Sequence, residues 1–214
     1  MRRNKNLPFK IKPKYAIVVD GDCEFWYIQM LKRNERLINV NLEPKIPQKK
    51  KLSEQYELVI ELSKIYDKVF WVIDFDVINS ETRSASKGKQ AAIHKFKDYY
   101  DNIEKNYKDV HTIINNPCLE FWILLHFEMT SKYFDSCDKV IKKLKTHKSI
   151  SDYKKSQKYY TKQGNDIYLK LKPYLKQAII NSNKLKGFDF QNPDSGLSQM
   201  QLFFESDNLK RLIE

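Results

Sequence analysis

The stretch Phe70 to Val77 reads "FWVIDFDV", an apolar run that ends in two aspartates separated by one phenylalanine. In an extended strand alternate side chains share a face, so Asp74 and Asp76 are expected on one side with Cα atoms roughly 6.6 Å apart. Two like charges that close, at the end of something so hydrophobic, are unfavourable unless one takes a proton or a cation sits between them. A hard divalent ion suits such a pair, because Mg²⁺ takes oxygen ligands and is often held by one or two carboxylates together with substrate phosphates. A second acidic group, Asp20, Asp22 and Glu24 in "VVDGDCE", follows another apolar run, and Glu120 opens "EFWILLHF".

The elements that would position these residues alternate in type. "YAIVVD", "NVNLEPKIP", the strand before Asp74 and "DVHTIIN" read as strands, and the segments between them carry apolar residues at helical spacing. The last helix is expected to start at "NPCLEF", with Asn116 as its cap and Pro117 in its first turn. Alternation of this kind over residues 15 to 130 predicts a doubly wound, mainly parallel four-stranded sheet, and open sheets bind ligands outside the carboxyl ends of their strands. The acidic residues fall at those ends. A pocket lined by six carboxylates needs cations.

Composition supplies the counterweight. The chain has 214 residues, 39 Lys+Arg against 27 Asp+Glu, and a net charge of +12. Residues 132 to 186 hold 15 lysines and 4 aspartates with no arginine or glutamate, so +11 of that charge lies in one stretch. Six tyrosines, at 133, 153, 159, 160, 168 and 174, interleave with the lysines. A basic arm beside an acidic pocket points to a polyanionic partner, nucleic acid above all, with the tyrosine rings as faces for unstacked bases. Lys142, Lys143, Lys145 and Lys148 are the candidate phosphate contacts in the arm, and Lys87 and Lys89 those in the loop after Asp76. The division expected is an α/β domain over residues 10 to 130 and a basic helical segment over 131 to 214 packed on it.

Three cysteines, Cys23, Cys118 and Cys137, form no CxxC pair, and the four histidines show no HExxH or HxxxH spacing. These patterns argue for a reducing compartment and against zinc. His126 reads as a core histidine. There is no apolar run of 18 residues and no leader with an apolar core, so the expected setting is cytoplasmic, without a membrane.

With these motifs in hand, "VVDGDCE", "IDFD", "NNPCLEFWILLHF" and "NPDSGLSQMQLFF" together resemble the RloB-like family, whose core is a Toprim-type metal-binding fold. The string "NPC-x-E-x-W-x-LLHF" is the most specific. The resemblance implies a Toprim-like fold, Mg²⁺ or Mn²⁺ as cofactor, cutting or exchange of phosphodiesters in DNA or RNA, a role in bacterial anti-phage defence, and a separately encoded ATPase as partner. It places Asp20 in the position of the first-strand glutamate, with Asp22 and Glu24 completing that cluster. Asp20, Asp74 and Asp76 would hold the metal, Asp22 or Glu24 would orient water or act as base, and Glu120 would support them. The family reads closer to "EGEKTE", so aspartate replaces glutamate at 20 and 22 and one residue is missing before Glu24. Aspartate is shorter by one methylene, and a shift of about 1 Å at a reacting centre can cost on the order of 100-fold in rate. Two readings therefore stand: a metal-dependent nuclease, and a catalytically degenerate Toprim scaffold that binds nucleic acid or its ATPase partner without cleavage. Haloacid dehalogenase and DxD glycosyltransferase chemistry fit less well, the first because its DxDx[TV] motif belongs on the first strand.

Overall fold

The computed structural model describes residues 13–19, 21–37, 39–43, 50–84, 91–207 and 209–212. Asp20, Lys87 and Lys89 lie outside the described residues. Among the described residues five strands form one sheet: β1 (Tyr15–Val18), β2 (Val40–Glu43), β3 (Lys68–Asp74), β4 (Val110–Asn116) and β5 (Leu197–Ser198). Their order is β2-β1-β3-β4-β5, parallel throughout except for β5, which runs antiparallel to β4. The expected four-stranded sheet is thus a five-stranded one, and the added edge strand comes from the C-terminal segment.

Alternation along the buried strands divides the core. Tyr15, Ile17, Phe70, Val72 and Ile113 face one side, where they meet α1 (Asp22–Glu35) and the later α5 (Leu119–Leu125). Ala16, Val18, Val69, Trp71, Ile73 and Ile114 face the other, with α2 (Leu52–Leu62), α3 (Phe75–Ser84) and α4 (Ala92–Asn106). Burial on both faces explains why these strands read as continuous apolar runs.

The basic arm supplies α6 (Cys137–Leu144), α7 (Gln157–Tyr160), α8 (Ile167–Leu171) and α9 (Leu175–Asn183), and α10 (Gln201–Phe204) follows β5. Val140, Leu144, Tyr153, Tyr160 and Tyr168 join the same core as α1 and α5. Asp166, wholly buried at the start of α8, ties the arm to α1: it accepts from Arg33 Nη2 at 2.9 Å, Asn34 Nδ2 at 3.0 Å and Leu169 N at 3.0 Å. The terminal segment packs closely. A Cβ added at Gly196 would lie 2.3 Å from the Lys132 carbonyl oxygen and 2.4 Å from the Phe121 ring. Only glycine lets the chain pass there and continue as β5.

Candidate functional site

The connections reverse direction between β1 and β3, since β1 leads outward to β2 and β3 leads outward to β4. The crevice at such a switch point, beyond the carboxyl ends of the strands, is where this architecture binds ligands. Glu24, in the first turn of α1, and Asp74, the last residue of β3, meet there, lining one small cavity together. The approach is possible because residue 21 is glycine: a Cβ at that position would lie 2.0 Å from Glu24 Oε2.

Burial drives the electrostatics. It pushes Glu24 up to about 7, with the Glu120 charge adding to the effect and the Asp74 contact opposing it. Asp74 rises well above the ordinary carboxylate range, first through burial and then through the charges of Glu24 and Glu120. Asp76 is raised as well, by burial and Glu120, against the pull of Lys155. Without a cation the carboxyls hold protons that carboxyls in water would release. Glu24 Oε1 is buried with no hydrogen-bond partner.

Asp76 is placed by a different route from the one strand periodicity predicts. β3 ends at Asp74 and α3 begins at Phe75, so Asp76 sits in the first turn of a helix. Its amide donates to the Pro117 carbonyl at 2.9 Å. It still faces the same edge: one set of potential ligand atoms within 4.8 Å of one another comprises Asp74, Cys118 and Glu120, and a second comprises Asp76, Cys118 and Cys137. Beyond Asp76 opens a cleft of about 410 Å³ lined by Asn79, Arg83, Asn116 and Tyr133 among others.

Glu120 is fully buried and tightly held. The Tyr153 hydroxyl donates to its Oε1 at 2.7 Å and exchanges a 2.6 Å hydrogen bond with Tyr160, and Lys155 Nζ lies 3.4 Å from the same oxygen. Burial alone would lower Lys155, but Glu120, Glu24 and Asp74 outweigh it and raise this ammonium above its usual range. The basic arm thus reaches into the acidic edge. On the other side, strand register aligns Asp74 with Asn115 and Asn115 with Ser198. Ser198 Oγ donates to Asn115 Oδ1 at 2.6 Å, and Asn115 Nδ2 donates to Asp74 Oδ1 at 3.4 Å.

Cys118 and Cys137 form a disulfide with Cα atoms 5.9 Å apart. Their spacing of 19 residues carries no signal in the sequence, where the three cysteines suggest free thiols. Cys118 also caps α5, two positions beyond the expected cap Asn116, because β4 runs on to Asn116.

Of the sequence-predicted residues, then, Glu24, Asp74, Asp76 and Glu120 come together. Asp22 is exposed in the first turn of α1. Lys142, Lys145 and Lys148 are exposed, whereas Lys143 pairs with Glu128 at 2.9 Å. Tyr153, Tyr160 and Tyr168 are buried and present no face to a base, which corrects the expectation of six stacking rings. His126 is a buried, neutral histidine, lowered by burial to about 4, with Nδ1 3.0 Å from the Trp122 carbonyl.

The sequence matches the RloB-like protein family over residues 15–205. The chain belongs to the RloB-like proteins. No curated protein and no solved structure matches it. The matched span runs from the first residue of β1 to the residue after α10, so in this RloB-like chain the arm and β5 belong to the family unit along with the carboxylates. No helix among the described residues is long and apolar enough to cross a membrane.

Proposed function

We propose that this RloB-like protein is a Toprim-like, divalent-cation-dependent enzyme that cuts phosphodiester bonds in nucleic acid, and that it acts in bacterial anti-phage defence with an ATPase partner. The observation that carries this reading is the convergence of Glu24, Asp74 and Asp76 at the switch point between β1 and β3, in surroundings where the carboxyls retain protons without a cation. The donor set fits a hard ion: carboxylate oxygens dominate, Glu24 Oε1 is buried without a partner, and Glu24 and Asp74 line one small cavity. Mg²⁺ or Mn²⁺ there supplies Lewis-acid charge to a phosphate and acidifies water.

The chain's own residues do the rest. Glu24, Asp74 and Asp76 bind the cation, and the Asn115–Ser198 pair orients Asp74. Tyr153 and Lys155 fix Glu120, whose charge sets the field at the site. Lys155, half exposed at the rim, attracts the phosphate that the carboxylates repel. Arg83 and Asn79 line the cleft leading to Asp76 and suit the next stretch of backbone. Exposed lysines of α6 and the turn after it extend the positive track.

The test is single-turnover cleavage of labelled single- and double-stranded DNA and RNA, with and without Mg²⁺, in the wild type and in Asp74→Asn/Asp76→Asn. Expected is Mg²⁺-dependent cleavage, lost by at least 1000-fold in the double variant with secondary structure unchanged. Binding of nucleic acid with no cleavage of any substrate under any divalent ion favours the degenerate scaffold, a reading supported by the aspartates at positions 20 and 22.

A further inference from the structure

Cys118 and Cys137 lie in the acidic edge rather than in a remote part of the core. Cys118 Sγ belongs to both clusters of potential ligand atoms, and the Asp76, Cys118 and Cys137 atoms all lie within 4.8 Å of one another. The three residues come from three elements: the first turn of α3, the cap of α5 and the first position of α6. Cys137 Sγ is 2.8 Å from Glu120 Oε2 and 3.7 Å from Lys155 Nζ. A disulfide sulfur carries no proton and gains nothing from a carboxylate at 2.8 Å, whereas a reduced Cys137 thiol would donate to Glu120 there, and a cation replacing that proton would offset the carboxylate's repulsion of the thiolate. An ammonium beside a sulfur and a position at a helix start both favour the thiolate.

We infer that, once the Cys118–Cys137 bridge is reduced, the two thiolates and the Asp76 carboxylate form a binding site for a borderline-soft divalent cation of the Zn²⁺ class. Two thiolates and one carboxylate make three ligands and leave a fourth position open, the arrangement of a zinc centre accessible to solvent or substrate. Thiolates bound to tetrahedral Zn²⁺ sit roughly 3.8 Å apart, given Zn–S bonds of about 2.3 Å. The ligand atoms of Asp76, Cys118 and Cys137, all within 4.8 Å of one another, are near enough to reach that spacing around one ion. The site differs in chemistry from the all-oxygen one at Glu24 and Asp74, and shares Asp76 with it.

The chemistry balances with a dithiol as reductant. The protein S–S bond takes two electrons and two protons from the dithiol, which closes to its own cyclic disulfide. Each cysteine then releases its proton as it binds the cation. Sequence spacing gives no warning of this site, because its ligands sit at positions 76, 118 and 137 with no short motif.

The full chain, reduced with dithiothreitol and freed of it under argon, is titrated with Co²⁺ and followed by absorbance. Expected is a thiolate-to-cobalt charge-transfer band that saturates at one ion per chain and is erased by Zn²⁺. Asp76→Asn should weaken the affinity at least tenfold. Glu24→Gln/Asp74→Asn should keep the band while losing Mg²⁺ binding, which separates this site from the one in the proposed function. Absence of the band in reduced protein, or its survival in Cys118→Ser or Cys137→Ser, overturns the inference. A check that needs no variant is alkylation of reduced protein by iodoacetamide, mapped by mass spectrometry. Saturating Zn²⁺ should protect both cysteines at least tenfold, and modification of either at the metal-free rate rejects the site.

Discussion

The Tyr153 hydroxyl donates to Oε1 of Glu120 at 2.7 Å, linking the basic arm to the helix that follows β4. Both groups are fully buried, and the same hydroxyl contacts that of Tyr160 at 2.6 Å. Tyr153→Phe keeps the ring and removes the oxygen, leaving Glu120 and Tyr160 each one partner short. The expected cost is about 1–3 kcal/mol of stability, the price of unsatisfied buried polar groups. Urea denaturation measures it, and a midpoint equal to that of the wild type would show that Lys155 alone suffices for Glu120.

Stability of the metal-free protein should fall as pH rises. Folded Glu24 keeps its proton up to about pH 7, while the unfolded chain releases it near 4.5, so between those values the native state binds more protons. The raised Asp74 acts with the same sign. Urea midpoints should therefore decline from about pH 4.5 to about 7 and then level off as far as Glu24 is concerned. Saturating Mg²⁺ should remove the decline, with protons released on binding that calorimetry in buffers of different ionisation enthalpy would detect. A midpoint that climbs with pH across this window in the absence of metal would contradict the buried pair.

Gly21→Ala tests the close approach at the start of α1. The new methyl would meet Glu24 Oε2 at 2.0 Å, so the carboxylate must move. Because Glu24 is a side-chain end and not backbone, the fold should survive with a loss of about 1–3 kcal/mol. Divalent-cation affinity should drop at least tenfold. Unchanged Mn²⁺ affinity by calorimetry would place the cation elsewhere.

Charge reversal on the arm separates two partners. Lys142, Lys145 and Lys148 are exposed, so changing them to Glu should leave stability near that of the wild type. If they contact phosphates, the log–log slope of nucleic-acid affinity against salt, expected at roughly −3 to −6, should become shallower by about 3. If the arm instead docks an acidic ATPase, co-purification should fail while the slope stays the same. Lys143 is best left alone, since it pairs with Glu128 at 2.9 Å.

Four strands and the residues at their ends are legible in the sequence, because strands covered on both faces read as apolar runs that stop where the chain meets polar surroundings. The fifth is not: two residues, Leu197 and Ser198, are too few to show any period. Extrapolating strand period past Asp74 misplaces Asp76, because the backbone turns into α3 at Phe75, yet both aspartates reach the same edge. Contacts that depend on chain return are invisible in one dimension. Tyr153 meets Glu120 across 33 residues, and Ser198 meets Asn115 across 83. The lysines and tyrosines of the arm raise the expectation of rings stacking on bases, but burial of Tyr153, Tyr160 and Tyr168 assigns these three rings to packing.

Ser198, which steadies Asn115 beside Asp74, follows every carboxylate of the edge in the sequence. Every carboxylate of the edge has left the ribosome long before it, and Tyr153 and Lys155 also precede it. A nascent chain thus carries an acidic edge whose last strand is missing, and a polypeptide stalled or clipped before residue 197 never acquires it. Protein synthesis proceeds from the N-terminus and earlier parts fold first. In N-to-C synthesis the strand that completes the edge is therefore added after all of the edge's carboxylates, and a chain cut before it keeps the carboxylates without their last support.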